Sequence, residues 1–216
     1  MDTLEEFGSA IEEGSLTLGV EVSKEALLQL KVYQQVLARW APKVNLVADP
    51  DPSLTAGVHF LDSIALDRIL NERKEGLTDI GTGAGFPGLV QAILHPDRQV
   101  TLIEPIGKRA SFLQQVLIAT RIRNCTVEIA RTSQSNLQPG RILIARAVFP
   151  PKQWLTEAAR LLDGEGWVVL MTSTPPGAEL TKTAESLGLE QIRCDAFELP
   201  VAEAPRVNTL FRMGGP

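Results

Sequence analysis

Thr78-Asp79-Ile80-Gly81-Thr82-Gly83-Ala84-Gly85-Phe86-Pro87-Gly88 is the run on which the reading of this chain turns. It follows a short apolar segment, Leu77–Ile80, and leads into a second, Gly88–Leu94, with helical character. Three glycines at every second position let the backbone turn tightly and let a ligand approach without meeting a Cβ. In open α/β sheets ligands bind beyond the carboxyl ends of the strands, which is where such a loop lies. A dinucleotide fold asks for G-x-G-x-x-G, with the third glycine allowing close helix–strand packing. Here the spacing is G-x-G-x-G, and Phe86 occupies the position of that third glycine. Asp79, two residues before Gly81, would repel a pyrophosphate but accept from an ammonium group. S-adenosylmethionine carries an ammonium, a sulfonium and no phosphate, so the loop fits that cofactor better than a nicotinamide dinucleotide.

Outward from the loop, strand and helix alternate. Leu77–Ile80, Val100–Glu104, Thr126–Ala130, Ile142–Ala145 and Gly166–Met171 read as strands. Gly88–Leu94, Lys108–Thr120, Pro151–Leu162 and Ala178–Leu187 read as helices. That order predicts right-handed βαβ units and a mostly parallel sheet. Two last strand candidates, Ile192–Phe197 and Val207–Arg212, lack a helix between them and predict an antiparallel edge. Before the loop the texture is helical: Ser23 suits an N-cap for a run with Ala26, Leu27, Leu30, Tyr33, Val36, Leu37 and Trp40 at helical spacing. A second periodic segment holds Val58, Leu61, Ile64, Ala65, Ile69 and Leu70. The expected layout is an N-terminal helical cap, residues 1–75, on an α/β unit, residues 76–216.

Glu104 ends the second strand, where a carboxylate takes both ribose hydroxyls in such folds, although an acid starting the next helix is the plain alternative. The third strand ends at Arg131-Thr132-Ser133, where backbone amides and hydroxyls could read an adenine edge. His59 and Asp62 stand three apart, either a helix face closing over the loop or a local polar contact. Trp40 and Trp167 sit at core positions; Trp154, beside Lys152, is the tryptophan to consider for stacking on a base.

With 216 residues, 44% of them hydrophobic and 22% charged, the chain is long enough for one full core, and disordered and fibrous classes are excluded. No stretch reaches the ~20 apolar residues of a membrane span. The acidic start, with four Glu and one Asp before residue 15, lacks the basic, apolar pattern of a signal peptide, so a cytoplasmic location is expected. Two cysteines and two histidines are too few for a disulfide scaffold, and no metal is expected. Net charge is −5, yet residues 1–100 carry −7, residues 101–160 carry +6, and residues 161–216 carry −4. A phosphate-binding surface needs a local basic face rather than a basic protein. The exposed candidates for RNA contact are Lys108, Arg109, Arg121, Arg123 and Lys152.

Asn45-Leu46, His59-Phe60-Leu61-Asp62-Ser63, the glycine loop, Gly107-Lys108-Arg109 and Arg146-Ala147 together resemble the RsmG (GidB) family, bacterial small-subunit ribosomal RNA guanine-N7 methyltransferases. The resemblance runs from about Leu27 to the C-terminus. It implies a class I, Rossmann-like sheet of seven strands, S-adenosylmethionine as donor, and a guanine of the small ribosomal subunit as acceptor. By motif it implies cofactor contacts at Gly81, Gly83, Phe86, Glu104, Thr132-Ser133 and Arg146, with Asp79 and Gly85 in the same loop. Arg131 and Arg146 would be the basic pair that positions the target, with no general base. The family's Leu-Lys-Gly reads Leu170-Met171-Thr172 here, and its Arg-His pair reads Arg206-Val207. Guanine N7 has a lone pair and no proton, so the absence of a nucleophile–base set is what that chemistry predicts. Competing readings are a methyltransferase for a protein or small molecule, and an RNA-binding assembly factor without turnover.

Overall fold

The computed structural model describes residues 3–70, 72–131 and 140–214. Seven strands form one sheet: β1 (Leu77–Ile80), β2 (Val100–Ile103), β3 (Cys125–Glu128), β4 (Ile142–Ala145), β5 (Gly166–Thr172), β6 (Leu189–Leu199) and β7 (Ala204–Met213). Their order is β3-β2-β1-β4-β5-β7-β6. β1 pairs in parallel with both β2 and β4. β7 inserts antiparallel between β5 and β6, as the missing helix predicts. β1 is buried at all four positions, which suits the centre of a sheet covered on both faces. The strand order reverses between β1 and β4, the switch point at which such sheets bind ligands.

Helices α6 (Gly88–Leu94) and α7 (Gly107–Thr120) cover one face, with Val90, Phe112, Leu113 and Val116 in its core. Helices α8 (Pro151–Leu162) and α9 (Ala178–Ser186) cover the other, with Trp154, Leu155 and Ala158. The expected boundaries of β1, β4, α6 and α8 match the structure residue for residue.

The N-terminal helices α1 (Thr3–Thr17) and α2 (Lys24–Trp40) join the first face, and Ser23 caps α2 by accepting from the amide of Ala26. The second periodic segment is not one helix. It runs through a turn α3 (Pro52–Thr55), a wide π-helical turn (Ala56–Leu61) and two short helices, α4 (Asp62–Ile64) and α5 (Asp67–Leu70). Its apolar face still packs: Phe60 meets Phe7 edge to face at 4.9 Å and Tyr33 at 5.0 Å. No described helix is long and apolar enough to cross a membrane, and the described residues contain no cluster of potential metal ligands.

Candidate active site

The glycine loop is held by its own acid. Asp79 is fully buried; its Oδ2 accepts from Thr82 Oγ1 at 2.6 Å and from the Gly88 amide at 2.8 Å. Its Oδ1 has no hydrogen-bond partner. Burial pushes the Asp79 carboxyl up to about 6, although the two hydrogen bonds pull the other way. Gly81, Gly83 and Gly85 all take positive φ, the left-handed region that glycine enters without cost. A Cβ on Gly85 would lie 2.6 Å from the Tyr33 hydroxyl, whereas a Cβ on Gly83 would meet only the Gly81 carbonyl at 4.0 Å. The space beside Gly83 is therefore open, at the carboxyl end of β1.

Glu104 is buried beside that space. Its Oε2 accepts from the Gly83 amide and its Oε1 from the Ile106 amide, each at 2.9 Å. It thus ties the glycine loop to the start of α7, and two of a carboxylate's four acceptor positions remain. The Gly107-Lys108-Arg109 segment meets Asn45, whose carbonyl accepts from Arg109 Nε at 3.2 Å and Nη2 at 3.0 Å.

Phe86 is not at the surface of the loop. Its ring, 4% exposed, stacks on His59 at 5.0 Å and on Tyr33 at 5.3 Å, with the Arg146 guanidinium 5.3 Å from its centroid. The Tyr33 hydroxyl donates to the Ala84 carbonyl, so the cap is bonded directly to the loop. Helical spacing marks Tyr33 only as a core residue. The signal that it does more is its hydroxyl, since a buried Tyr O–H needs a partner.

A cleft of about 510 Å³ opens next to the loop, past the ends of β4 and β5. Phe149, Pro151, Leu170 and Met171 form its apolar wall, and Arg146 and Arg206 its cationic corner. Arg146 Nη1 donates to Asp62 Oδ2 at 3.1 Å and to the Val58 carbonyl at 3.2 Å; its Nη2 faces His59 Nδ1 at 3.0 Å. Arg206 Nε donates to Asp62 Oδ1 at 3.2 Å. Asp62 and His59, 84 and 87 residues from Arg146 in sequence, thus meet it on one wall. Burial and the neighbouring Arg146 charge lower the His59 pKa to about 4, so the ring is neutral near pH 7 and Nδ1 is the acceptor. Met171 and Val207, where the motif pattern differs, stand on the adjacent strands β5 and β7 beside this corner.

Other expected residues fall elsewhere. Thr132 and Ser133 lie outside the described residues. Arg131 is exposed after the end of β3, and Lys108 and Lys152 are exposed at the starts of α7 and α8, on the carboxyl side of the sheet. Arg121 and Arg123 follow the end of α7 and precede β3, so they stand at the opposite edge. The basic third therefore does not form one face: the βαβ path returns each helix to the amino edge and carries part of the charge with it. Trp154 is 2% exposed and its Nε1 donates to the Val169 carbonyl at 2.8 Å, which makes it a core residue rather than a stacking platform.

Residues 26–204 match the family described as GidB, rRNA small subunit methyltransferase G. A Granulibacter bethesdensis protein named Ribosomal RNA small subunit methyltransferase G is 34% identical over 198 residues, covering 92% of each chain. One of the same name from Rhodospirillum centenum is 38% identical over 165 residues, covering 76% of each. Among solved structures, P. horikoshii TYW2 in complex with MeSAdo aligns with a TM-score of 0.57 at 11% identity, over 72% of this chain and 62% of that one. A SAM dependent methyltransferase from Aquifex aeolicus aligns at 0.52 and 14% identity, over 77% and 100%. At such identities the structural matches speak for the fold, a class I methyltransferase sheet. The match over most of the length, with a glycine loop at the switch point of that sheet, makes this chain a member of the GidB family, the rRNA small subunit methyltransferase G proteins.

Proposed function

We propose that the chain transfers the methyl group of S-adenosylmethionine to N7 of a guanine in small-subunit (16S) ribosomal RNA, as a cytoplasmic enzyme in which the cap and the α/β unit act as one body. The cofactor fits the residues present: open space beside Gly83, an unpartnered buried oxygen on Asp79, and acceptor positions left on Glu104. Gly83 would line its path, whereas the space beside Gly81 is filled by Val148 and that beside Gly85 by Tyr33, so those two shape the turn; Glu104 would take its ribose hydroxyls, and Asp79 would face its cationic end. When bound, it supplies an electrophilic methyl on sulfur.

The observation that carries the reading is the state of the cleft's proton acceptors. Both Asp62 oxygens accept from arginines, and His59 Nδ1 accepts from Arg146. No other ionisable side chain lines the cleft among the described residues besides Arg146 and Arg206. A site so arranged ties its acceptors to arginines instead of presenting them to a proton on an amine or hydroxyl. Guanine N7 needs no base: its in-plane lone pair attacks directly, and the protein's contribution is alignment and electrostatics. The apolar wall would hold the flat base, with Arg146 at its corner as the positioning residue; Arg131, after β3 at the far side of the sheet, does not line this cleft. Mapping 7-methylguanosine in small-subunit ribosomal RNA from cells lacking this protein tests the assignment: one such modification should disappear. Its retention would overturn the reading.

A further inference from the structure

Two guanidinium groups converge on one carboxylate at the mouth of the cleft. Asp62 has 6% of its side chain exposed; Arg146 has 19% and Arg206 27%. Each arginine takes a different Asp62 oxygen, at 3.1 and 3.2 Å. A single carboxylate neutralises one of the two cations, and the remaining charge is +1. Of these two, Arg206 is the outer group. Its Nη1 donates to the Pro205 carbonyl at 3.0 Å, and its Nη2 has no hydrogen-bond partner among the described residues. A solvent-facing guanidinium N–H with no protein partner, at the edge of an apolar slot and beside surplus positive charge, matches an anion carried by a flat apolar body.

We propose that Arg206 anchors the backbone phosphate of the target nucleotide, and that Asp62 is the positioning residue that aims it. The inference deepens the function proposed above and rests on it: the base occupies the wall of Phe149, Pro151, Leu170 and Met171, and its own phosphate reaches the cationic corner. Arginine suits the task, because its planar fork meets phosphate oxygens with fixed geometry. Asp62 acts through Arg206. With its Nε pinned, the Arg206 fork keeps one direction, and less side-chain freedom is lost when the phosphate arrives.

Equilibrium titration of the full-length protein with guanosine and with guanosine monophosphate tests this without requiring turnover. The monophosphate should bind about tenfold more tightly, the scale of one charge-assisted hydrogen bond. Arg206→Gln should bring the two ligands to equal affinity while guanosine binding stays within about twofold, and Arg206→Lys should keep part of the preference. Asp62→Asn should reduce the preference with Arg206 intact. Should that buried variant fail to fold, the two Arg206 variants carry the test. A monophosphate that binds no better than guanosine overturns the anchor, as does a preference that survives Arg206→Gln. Methyl transfer to small-subunit particles, measured alongside, separates this outcome from failure of the functional assignment. Particles methylated by a protein that shows no phosphate preference leave the function standing and remove only the anchor.

Discussion

The hydroxyl of Tyr33, in the middle of a cap helix, is hydrogen-bonded to the carbonyl of Ala84, in the middle of the glycine loop. This bond spans 51 residues of sequence and lies in a buried aromatic stack with Phe86 and His59. Burial raises the Tyr33 phenol well above its usual pKa, so it remains a donor. Helix α2 is therefore bonded to the glycine loop as well as packed on the sheet.

Tyr33→Phe keeps the ring and deletes the donor. The Ala84 carbonyl is then left unsatisfied in the interior, at a cost of about 1–3 kcal/mol in stability. S-adenosylmethionine affinity should fall several-fold with it, read by calorimetric titration beside thermal unfolding. Unchanged affinity in a destabilised variant would limit Tyr33 to packing.

Gly83→Ala separates fold from cofactor. The added methyl group meets nothing closer than 4.0 Å, so the cost to folding is the left-handed backbone alone, about 1–2 kcal/mol. The methyl enters the open space, and cofactor binding should be lost from a protein that still unfolds cooperatively. Glu104→Gln should weaken binding about ten- to hundredfold, since it removes a charged acceptor and turns an NH₂ toward a backbone donor. Full binding in both variants would move the cofactor elsewhere.

His59 should titrate with a midpoint near 4, and at neutral pH nitrogen-detected NMR should show the tautomer protonated at Nε2. In the unfolded chain the same ring takes its proton near 6.5. As pH falls from about 6.5 to 4 the unfolded state binds more protons, so this group lowers stability across that window. Asp79 acts in the opposite sense: its carboxyl, raised to about 6, gains its proton first in the folded state and adds stability as pH falls from 6 toward 4. His59→Gln should therefore lose less stability than the unmodified protein on acidification. An equal loss in both would show that the ring is not held neutral.

Salt dependence distinguishes the two edges of the sheet. If ribosomal RNA lies across the carboxyl edge, neutralising Lys108 or Lys152 should reduce the log–log salt slope of binding by about one unit each. Arg121→Gln and Arg123→Gln, at the amino edge, should leave the slope unchanged. Equal effects at both edges would require RNA to wrap the domain.

The alternation of strands with helices, the switch from helical cap to α/β texture, and the glycine loop with its leading acid are all local in sequence. Backbone conformation and hydrophobic period are properties of neighbouring residues, which is why the bounds of β1, β4, α6 and α8 are legible in the residues themselves. Glu104 is legible for the same reason, as an acid at a strand end. What the sequence could not determine is which charges share a face. The net +6 of residues 101–160 reads as one basic surface, and the fold divides it because each helix runs back against its strand. Nor does spacing reveal that Arg206 and Arg146, on β7 and after β4, share Asp62, or that Trp154 hides its indole against β5. Those contacts span distances in sequence at which no periodicity operates. They exist because β7 is inserted between β5 and β6 and a π turn brings His59 and Asp62 against the end of β4, and only packing of the whole chain settles such long-range pairings.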